Sequence, residues 1–115
     1  MKLPLQISFH GLEHSDALDS AIREKTAKLD RYYPHIMSCR VVVQLSARHR
    51  QQGKQFSVHI DLKVPGGEVV INKEHDEDAQ VALRDAFDAA RRRLEDYGRE
   101  QRGDVKHHAE PPPPV

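Results

Sequence analysis

The sequence predicts an α+β fold, a two-layer sandwich in which a four-stranded sheet carries two helices on one face, in the order β-α-β-β-β-α. Three segments place apolar residues at alternate positions, which is the period of a strand with one buried face, and a fourth is predicted as a strand although its Val69, Val70, Ile71 triplet leaves its facing ambiguous. Two longer segments repeat apolar residues with the period of an amphipathic helix. One of these helices lies between the first two strands, so we expect those strands to be parallel neighbours joined by a crossover.

The first strand and the first helix are separated by a glycine. The strand runs from Leu3 to Phe9 with every second residue apolar, and Gly11 ends it. Ser15 is the predicted N-cap of a helix that spans Asp16 to Tyr33. The helix is expected to end there because Pro34 disfavours helical geometry in the residue before it.

Lys25 interrupts the apolar face of this helix, and Lys28 is its neighbour three residues further on. Two interpretations stay open. The methylenes of Lys25 could pack while its ammonium group reaches past the sheet edge. Alternatively, the break in the pattern marks a functional site. The apolar face itself is made of Leu18, Ala21, Ile22, Thr26, Leu29 and Tyr33.

The remaining strands follow the first helix without another crossover. The second strand is predicted from Ser38 to Ala47, and a polar, basic loop from Arg48 to Lys54 follows it. The third strand, Phe56 to Val64, alternates throughout. A tight turn, Pro65 to Gly67, leads to the fourth strand, Glu68 to Lys73.

The closing helix is predicted from Asp78 to Tyr97, with an acidic N-cap cluster of Asp76, Glu77 and Asp78, and with Gly98 as its stop. One arc of this helix is apolar and consists of Ala79, Leu83, Ala86, Phe87, Ala90, Leu94 and Tyr97.

Arginines are concentrated in the second half of the closing helix. Arg91, Arg92 and Arg93 point around the helix axis, so at most two of them can contact the same partner. The alternative is that these arginines only form a solvated face near a helix C-terminus.

Length and composition predict one domain over residues 1–102, followed by a Pro-rich tail, 103–115, that we expect to be disordered. A single cysteine, Cys39, excludes an intramolecular disulfide and is typical of a reducing compartment. Without a long apolar run or a signal-peptide pattern, we expect a soluble cytoplasmic protein with no membrane partner. The net charge of zero argues against bulk electrostatic attraction to nucleic acid, and we expect no DNA partner.

The sequence contains no pattern that is typical of catalysis. Its eight histidines include His10 and His59, but the second strand should lie between these two, and Cys39 is not part of a zinc motif. A phosphate-binding glycine loop, an HExxH motif and a nucleophile elbow are all missing. We therefore predict a protein that is not an enzyme and has no catalytic residues, metal, cofactor or small-molecule substrate.

The basic residues of the two helices are the best candidate for a binding surface. Helices lying side by side on the sheet would bring Lys25 and Lys28 next to one flank of the closing helix, forming a ridge suited to phosphates. Because aromatic residues are few, recognition of RNA shape and backbone is favoured over reading of single-stranded bases.

Three segments of the chain are familiar as a set. They are HSDALDSAIREKTAKLDRYY in the first helix, PGGEV at the turn into the fourth strand, and DAFDAARRRLEDY in the closing helix. Together with the order of elements, they resemble the ribosome hibernation factor family, also called ribosome-associated inhibitor A or sigma-54 modulation proteins. The resemblance spans Leu3 to Arg102, in the short form of the family. Ala79, Gln80 and Ala89 depart from the family pattern, which implies weaker or differently placed binding.

This resemblance implies a translation inhibitor that occupies the messenger and transfer RNA channel of the small ribosomal subunit in stationary phase or stress. It also implies that Lys25, Lys28 and Arg92 contact ribosomal RNA. We add Arg84, Arg91 and Arg93 to the candidate site from helix geometry.

Two alternatives stay open. The first is a general structured-RNA binder, since double-stranded RNA-binding domains also place two helices on one face of a sheet. The second is a protein-interaction regulator of sigma-54 transcription, with the acidic segment Glu68 to Asp78 or the open sheet face as its contact surface.

Overall fold

The computed structural model describes residues 3–47, 54–75 and 78–101, and it confirms the predicted fold class. Part of the loop after the second strand, the acidic residues Asp76 and Glu77, and the predicted tail 103–115 lie outside the described residues. The elements are β1 (Leu5–His10), α1 (Asp16–Tyr32), β2 (Ser38–Ala47), β3 (Lys54–Val64), β4 (Gly67–His75) and α2 (Ala79–Gln101).

The four strands form one mixed sheet in the order β1-β2-β3-β4. The crossover through α1 makes β1 and β2 parallel, whereas β2 and β3, and then β3 and β4, pair antiparallel. The register places Val41 between Ile7 and Ile60, and Ile60 is in turn opposite Ile71. Apolar side chains therefore form a continuous row across one face of the sheet.

The core lies between this face and the two helices. Val41, Val43 and Ile60 on the central strands are fully buried, as are Ile22 on α1 and Leu94 on α2. Residues of opposite parity on the strands, such as Arg40, Gln44 and Asn72, occupy the other face.

Two glycines with positive φ shape the connections. Gly11 has a φ of 79°, and a Cβ at this position would lie 2.2 Å from the carbonyl oxygen of Leu45. Gly66 has a φ of 85° and follows Pro65 in the turn between β3 and β4, which is the residue order that such a turn favours. The predicted tight turn is thus confirmed.

Both predicted helix caps are present. The hydroxyl of Ser15 accepts a hydrogen bond from the Leu18 amide at 3.2 Å. One carboxylate oxygen of Asp78 accepts from the amides of Gln80 and Val81, at 2.9 and 3.3 Å. These bonds satisfy amides that would otherwise lack partners in the first turn of each helix.

The prediction that Gly98 ends the closing helix is wrong, because α2 continues to Gln101. A helical glycine costs about 1 kcal/mol relative to alanine, and tertiary contacts offset this cost here. Leu94 is fully buried one turn earlier, and the hydroxyl of Tyr97 donates a hydrogen bond to the carbonyl oxygen of Pro65. Packing on the β3–β4 turn therefore holds the last turns of α2 in place.

Candidate nucleic-acid interface

The two helices lie side by side on the same face of the sheet. They run in the same direction, because α1 follows β1, α2 follows β4, and these two strands point the same way. A groove follows their line of contact. It is lined by Lys25, Lys28, Leu29 and Tyr32 from α1, and by Phe87, Asp88 and Arg91 from α2. Both predicted lysines and one predicted arginine thus meet at a single surface.

Lys25 lies at the edge of the buried face of α1 and not in its middle, as the sequence pattern indicated. The middle is occupied by Ile22, Leu29 and the fully buried Thr26, while Lys25 is half-buried and lines the groove toward α2. The difference arises because Ala21, which extends the predicted apolar arc beyond Lys25, is only partly buried, so the buried face ends near Lys25. The stem of Lys25 therefore packs while its ammonium group faces the groove.

The groove carries more positive than negative charge. Lys25, Lys28 and Arg91 contribute three cations, and Asp88 contributes one carboxylate. Within the part of the chain that the structure describes, none of the three cations has a carboxylate within 4.0 Å. Arg23, on another side of α1, is different, since its Nε lies 2.6 Å from an Asp19 oxygen. The groove cations are thus available to an anionic partner.

The other predicted arginines of α2 are distributed around its axis. Arg84 precedes Arg91 by two turns on the same side, and its Nη2 lies 3.4 Å from Asp85. Arg92 is displaced by about 100° from Arg91 and is exposed, and Arg93 is displaced by about 200°. The structure therefore gathers Lys25, Lys28 and Arg91 in the groove and places Arg93 on the far flank of α2.

Sequence reasoning missed Tyr32 as a residue of this surface. Its side chain is 43% exposed, and it also lines a second pocket beyond the basic groove. The other residues of that pocket are Tyr33, Leu94, Glu95, Gly98 and Arg99. The available signal was spacing, because Tyr32 follows Lys25 by seven residues and therefore shares its side of the helix.

A pair of carboxyl groups marks the sheet face opposite the helices. Burial, followed by the hydrogen bond to Glu68, raises the pKa of Asp61. The pKa of Glu68 is lowered, mainly by Lys63, whose Nζ lies 3.1 Å from its carboxylate. This cluster is a local ion-pair network and carries no excess of positive charge.

The described residues offer no reactive nucleophile of the cysteine type. Burial raises the pKa of the Cys39 thiol to about 11, which outweighs the opposing effect of the Thr26 hydroxyl, so the thiol is protonated at neutral pH. Over residues 3–47, 54–75 and 78–101, no three His, Cys, Asp or Glu side chains are grouped so that they could hold a metal ion. The helices α1 and α2, as far as they are described, are not long and apolar enough to cross a membrane.

Two relatives identified by sequence comparison are both ribosome hibernation factors. The chain is 32% identical over 81 residues to the ribosome hibernation promoting factor of Azotobacter vinelandii, covering 70% of this chain and 69% of that protein. It is 31% identical over 93 residues to the ribosome hibernation promotion factor of Deinococcus radiodurans, covering 80% of this chain. The chain spans only about half of the Deinococcus protein, 47% of its length.

A ribosomal subunit interface protein from Coxiella burnetii has the same fold. Its structure superposes with a TM-score of 0.71 at 16% identity, covering 84% of this chain and 98% of that one. The model of the family described as sigma 54 modulation protein / S30EA ribosomal protein matches residues 5–102. The match includes both helices and all four strands, and the chain therefore belongs to the sigma 54 modulation protein / S30EA ribosomal protein family.

Proposed function

We propose that this protein is a ribosome-binding translation inhibitor, a hibernation factor that occupies the messenger and transfer RNA channel of the small ribosomal subunit under stress or in stationary phase. It acts in the cytoplasm as a binding protein and not as an enzyme, and it needs no cofactor. The family match and the names of the relatives support a ribosomal partner.

The observation that carries the proposal is the convergence of Lys25, Lys28 and Arg91 on one groove between two helices. Cations without carboxylate partners can contact phosphates without breaking an ion pair, and each contact releases counterions condensed on the nucleic acid. Arg84 and Arg92 extend this surface along and around α2, and Arg93 would have to contact a different part of the partner.

Inhibition would be steric. A rigid two-layer domain that binds ribosomal RNA through its helices excludes other ligands from the volume that it fills. The packed core and the satisfied caps of α1 and α2 order the backbone under the groove, so little backbone entropy is lost on binding.

The experiment is co-sedimentation with purified small ribosomal subunits at low and high salt, with and without a free RNA duplex. We expect the protein to pellet at low salt, to be released as salt rises, and to stay bound when excess duplex is added. A Lys25→Glu/Lys28→Glu variant should remain in the supernatant while its circular dichroism spectrum is unchanged.

The same experiment separates the two alternatives. Release by free duplex would favour a general structured-RNA binder, which recognises the shape of any A-form helix. Protein that stays in the supernatant at low salt would contradict the ribosomal proposal and favour a protein-interaction regulator, which does not depend on ribosomal RNA.

A further inference from the structure

The groove between α1 and α2 continues past the basic residues into the second pocket, and Tyr32 lines both parts. Lys28 and Tyr32 are one helical turn apart, about 6 Å along the axis of α1. This is the scale on which the phosphate and the base of one nucleotide are separated. The two parts of the groove are therefore close enough to contact a single nucleotide.

The two parts of the groove differ in charge. The first part carries Lys25, Lys28 and Arg91 against one carboxylate, Asp88. The second part carries Glu95 together with Arg99, and Arg99 is paired with Asp96. A phosphate is therefore attracted to the first part of the groove. The second part has no excess of positive charge and is better suited to an uncharged group.

Aromatic residues line one side of the second part. Tyr32 and Tyr33 form one wall, and Leu94 and Gly98 face them from α2. Tyr97 does not line this part of the groove, and its ring packs beside Gly67 at the β3–β4 turn, where its hydroxyl donates to the Pro65 carbonyl oxygen. Tyr33 is half-buried and packs edge-to-face on His35, with ring centroids 5.8 Å apart. Tyr32 is thus the tyrosine with the most accessible ring.

We propose that Tyr32 is a stacking platform for one unpaired RNA base, whose neighbouring phosphates lie on Lys25, Lys28 and Arg91. This inference rests on the proposed function and adds that the groove takes an unpaired nucleotide and not only the backbone of a duplex. An exposed aromatic ring beside a line of cations is the arrangement by which proteins bind single-stranded nucleic acid, because every base has a face that can stack.

The test uses the full chain and two seven-nucleotide RNA strands. One is a uridine strand with a central adenine, and the other keeps all the phosphates but has no bases. Dissociation constants are measured by NMR titration, with the ring signals of Tyr32 as the local readout. The parent should bind the strand with bases at least about fivefold more tightly than the abasic strand.

Variants separate stacking from phosphate binding. Tyr32→Leu should abolish the preference for bases, and Tyr32→Phe should keep it because the ring remains. Lys28→Gln should weaken binding of both strands by the same factor. Circular dichroism confirms that each variant is folded, and Tyr32 is exposed at the end of α1, so its replacement removes little core packing.

Several results would overturn the stacking proposal. The parent could bind both strands with equal affinity, or bind neither. The preference for the strand with bases could survive Tyr32→Leu, or be lost in Tyr32→Phe as fully as in Tyr32→Leu. Co-sedimentation with small subunits is run in parallel. Pelleting without base preference would leave the proposed function in place, and base preference without pelleting would contradict the proposed function alone.

Discussion

Removing the two groove lysines should change how the affinity for the small subunit depends on salt. The perturbation is the double substitution Lys25→Gln/Lys28→Gln, which keeps polar, unbranched side chains only one bond shorter and removes two charges. Each phosphate contact contributes about 0.7 to 0.9 to the slope of log K against log salt concentration. If both lysines contact phosphates, the slope of the variant is smaller in magnitude by about 1.4 to 1.8.

This slope change is large enough to measure. Between 50 and 200 mM salt, the affinity of the parent should fall by about 7- to 12-fold more than that of the double variant. The assay is sedimentation with purified small subunits at four or more salt concentrations. Lys28 is exposed and Lys25 is half-buried, so we expect the free energy of unfolding to change by no more than about 0.5 kcal/mol, checked by thermal melting.

A matched control removes the same charge elsewhere. The variant Arg23→Gln/Lys63→Gln loses two exposed cations that lie outside the groove and are paired with Asp19 and Glu68, at 2.6 and 3.1 Å. Its salt slope should equal that of the parent. The reasoning is refuted if the lysine variant keeps the parental slope, or if the control lowers the slope equally, since net charge alone would then explain the effect.

Three further predictions concern α2, the β1–α1 connection and the core. Arg91→Gln should weaken binding to the small subunit and reduce the magnitude of the salt slope by about 1. Arg93→Gln, on the far flank of α2, should leave the affinity and the slope unchanged. Equal losses of affinity in the two variants would refute the groove as the binding site. Gly11→Ala should lower the urea midpoint by the equivalent of at least about 1–2 kcal/mol, because φ is 79° and the new Cβ would meet the Leu45 carbonyl oxygen; an unchanged midpoint would contradict this. Burial raises the pKa of Cys39 from 9.0 to about 11, so the unfolded thiol ionises first as pH rises. Relative to a Cys39→Ala variant, the free energy of unfolding of the parent should therefore fall between pH 9 and 11, by up to about 3 kcal/mol in denaturant titrations. If the pH profiles of the two proteins are parallel, burial does not raise the pKa of Cys39 as described.

The fold could be predicted because the sequence patterns agree with one another. Alternation in β3 shows which residues face the helices, and Ile60 lies opposite Val41 and Ile71 as that alternation requires. The caps Ser15 and Asp78 were also readable, since short polar side chains before an amphipathic run satisfy the first amides of a helix.

Where the sequence was ambiguous, tertiary packing decided the outcome. The apolar triplet of Val69, Val70 and Ile71 does not show which residues face the core, and the structure buries the first and third while Val70 is 40% exposed. A glycine such as Gly98 usually marks the end of a helix, yet α2 continues to Gln101. Contacts between the end of α2 and the β3–β4 turn stabilise these last residues in helical conformation.

The candidate site was predictable only in part. The spacing of Lys25 and Lys28 placed both on one side of α1, but the side of α2 that faces them depends on how the helices pack. Packing selects Arg91 from the three consecutive arginines, which helical periodicity alone does not do, whereas the seven-residue spacing from Lys25 already placed Tyr32 on the groove side of α1.

The most direct test of the central claim is competition for the messenger channel. A fluorescent messenger RNA is bound to purified small subunits, and increasing amounts of the protein or of its Lys25→Gln/Lys28→Gln variant are added. We predict that the protein displaces the messenger as its own binding saturates, and that the variant does so only at higher concentration. Simultaneous binding of protein and messenger to the same subunit would contradict the account.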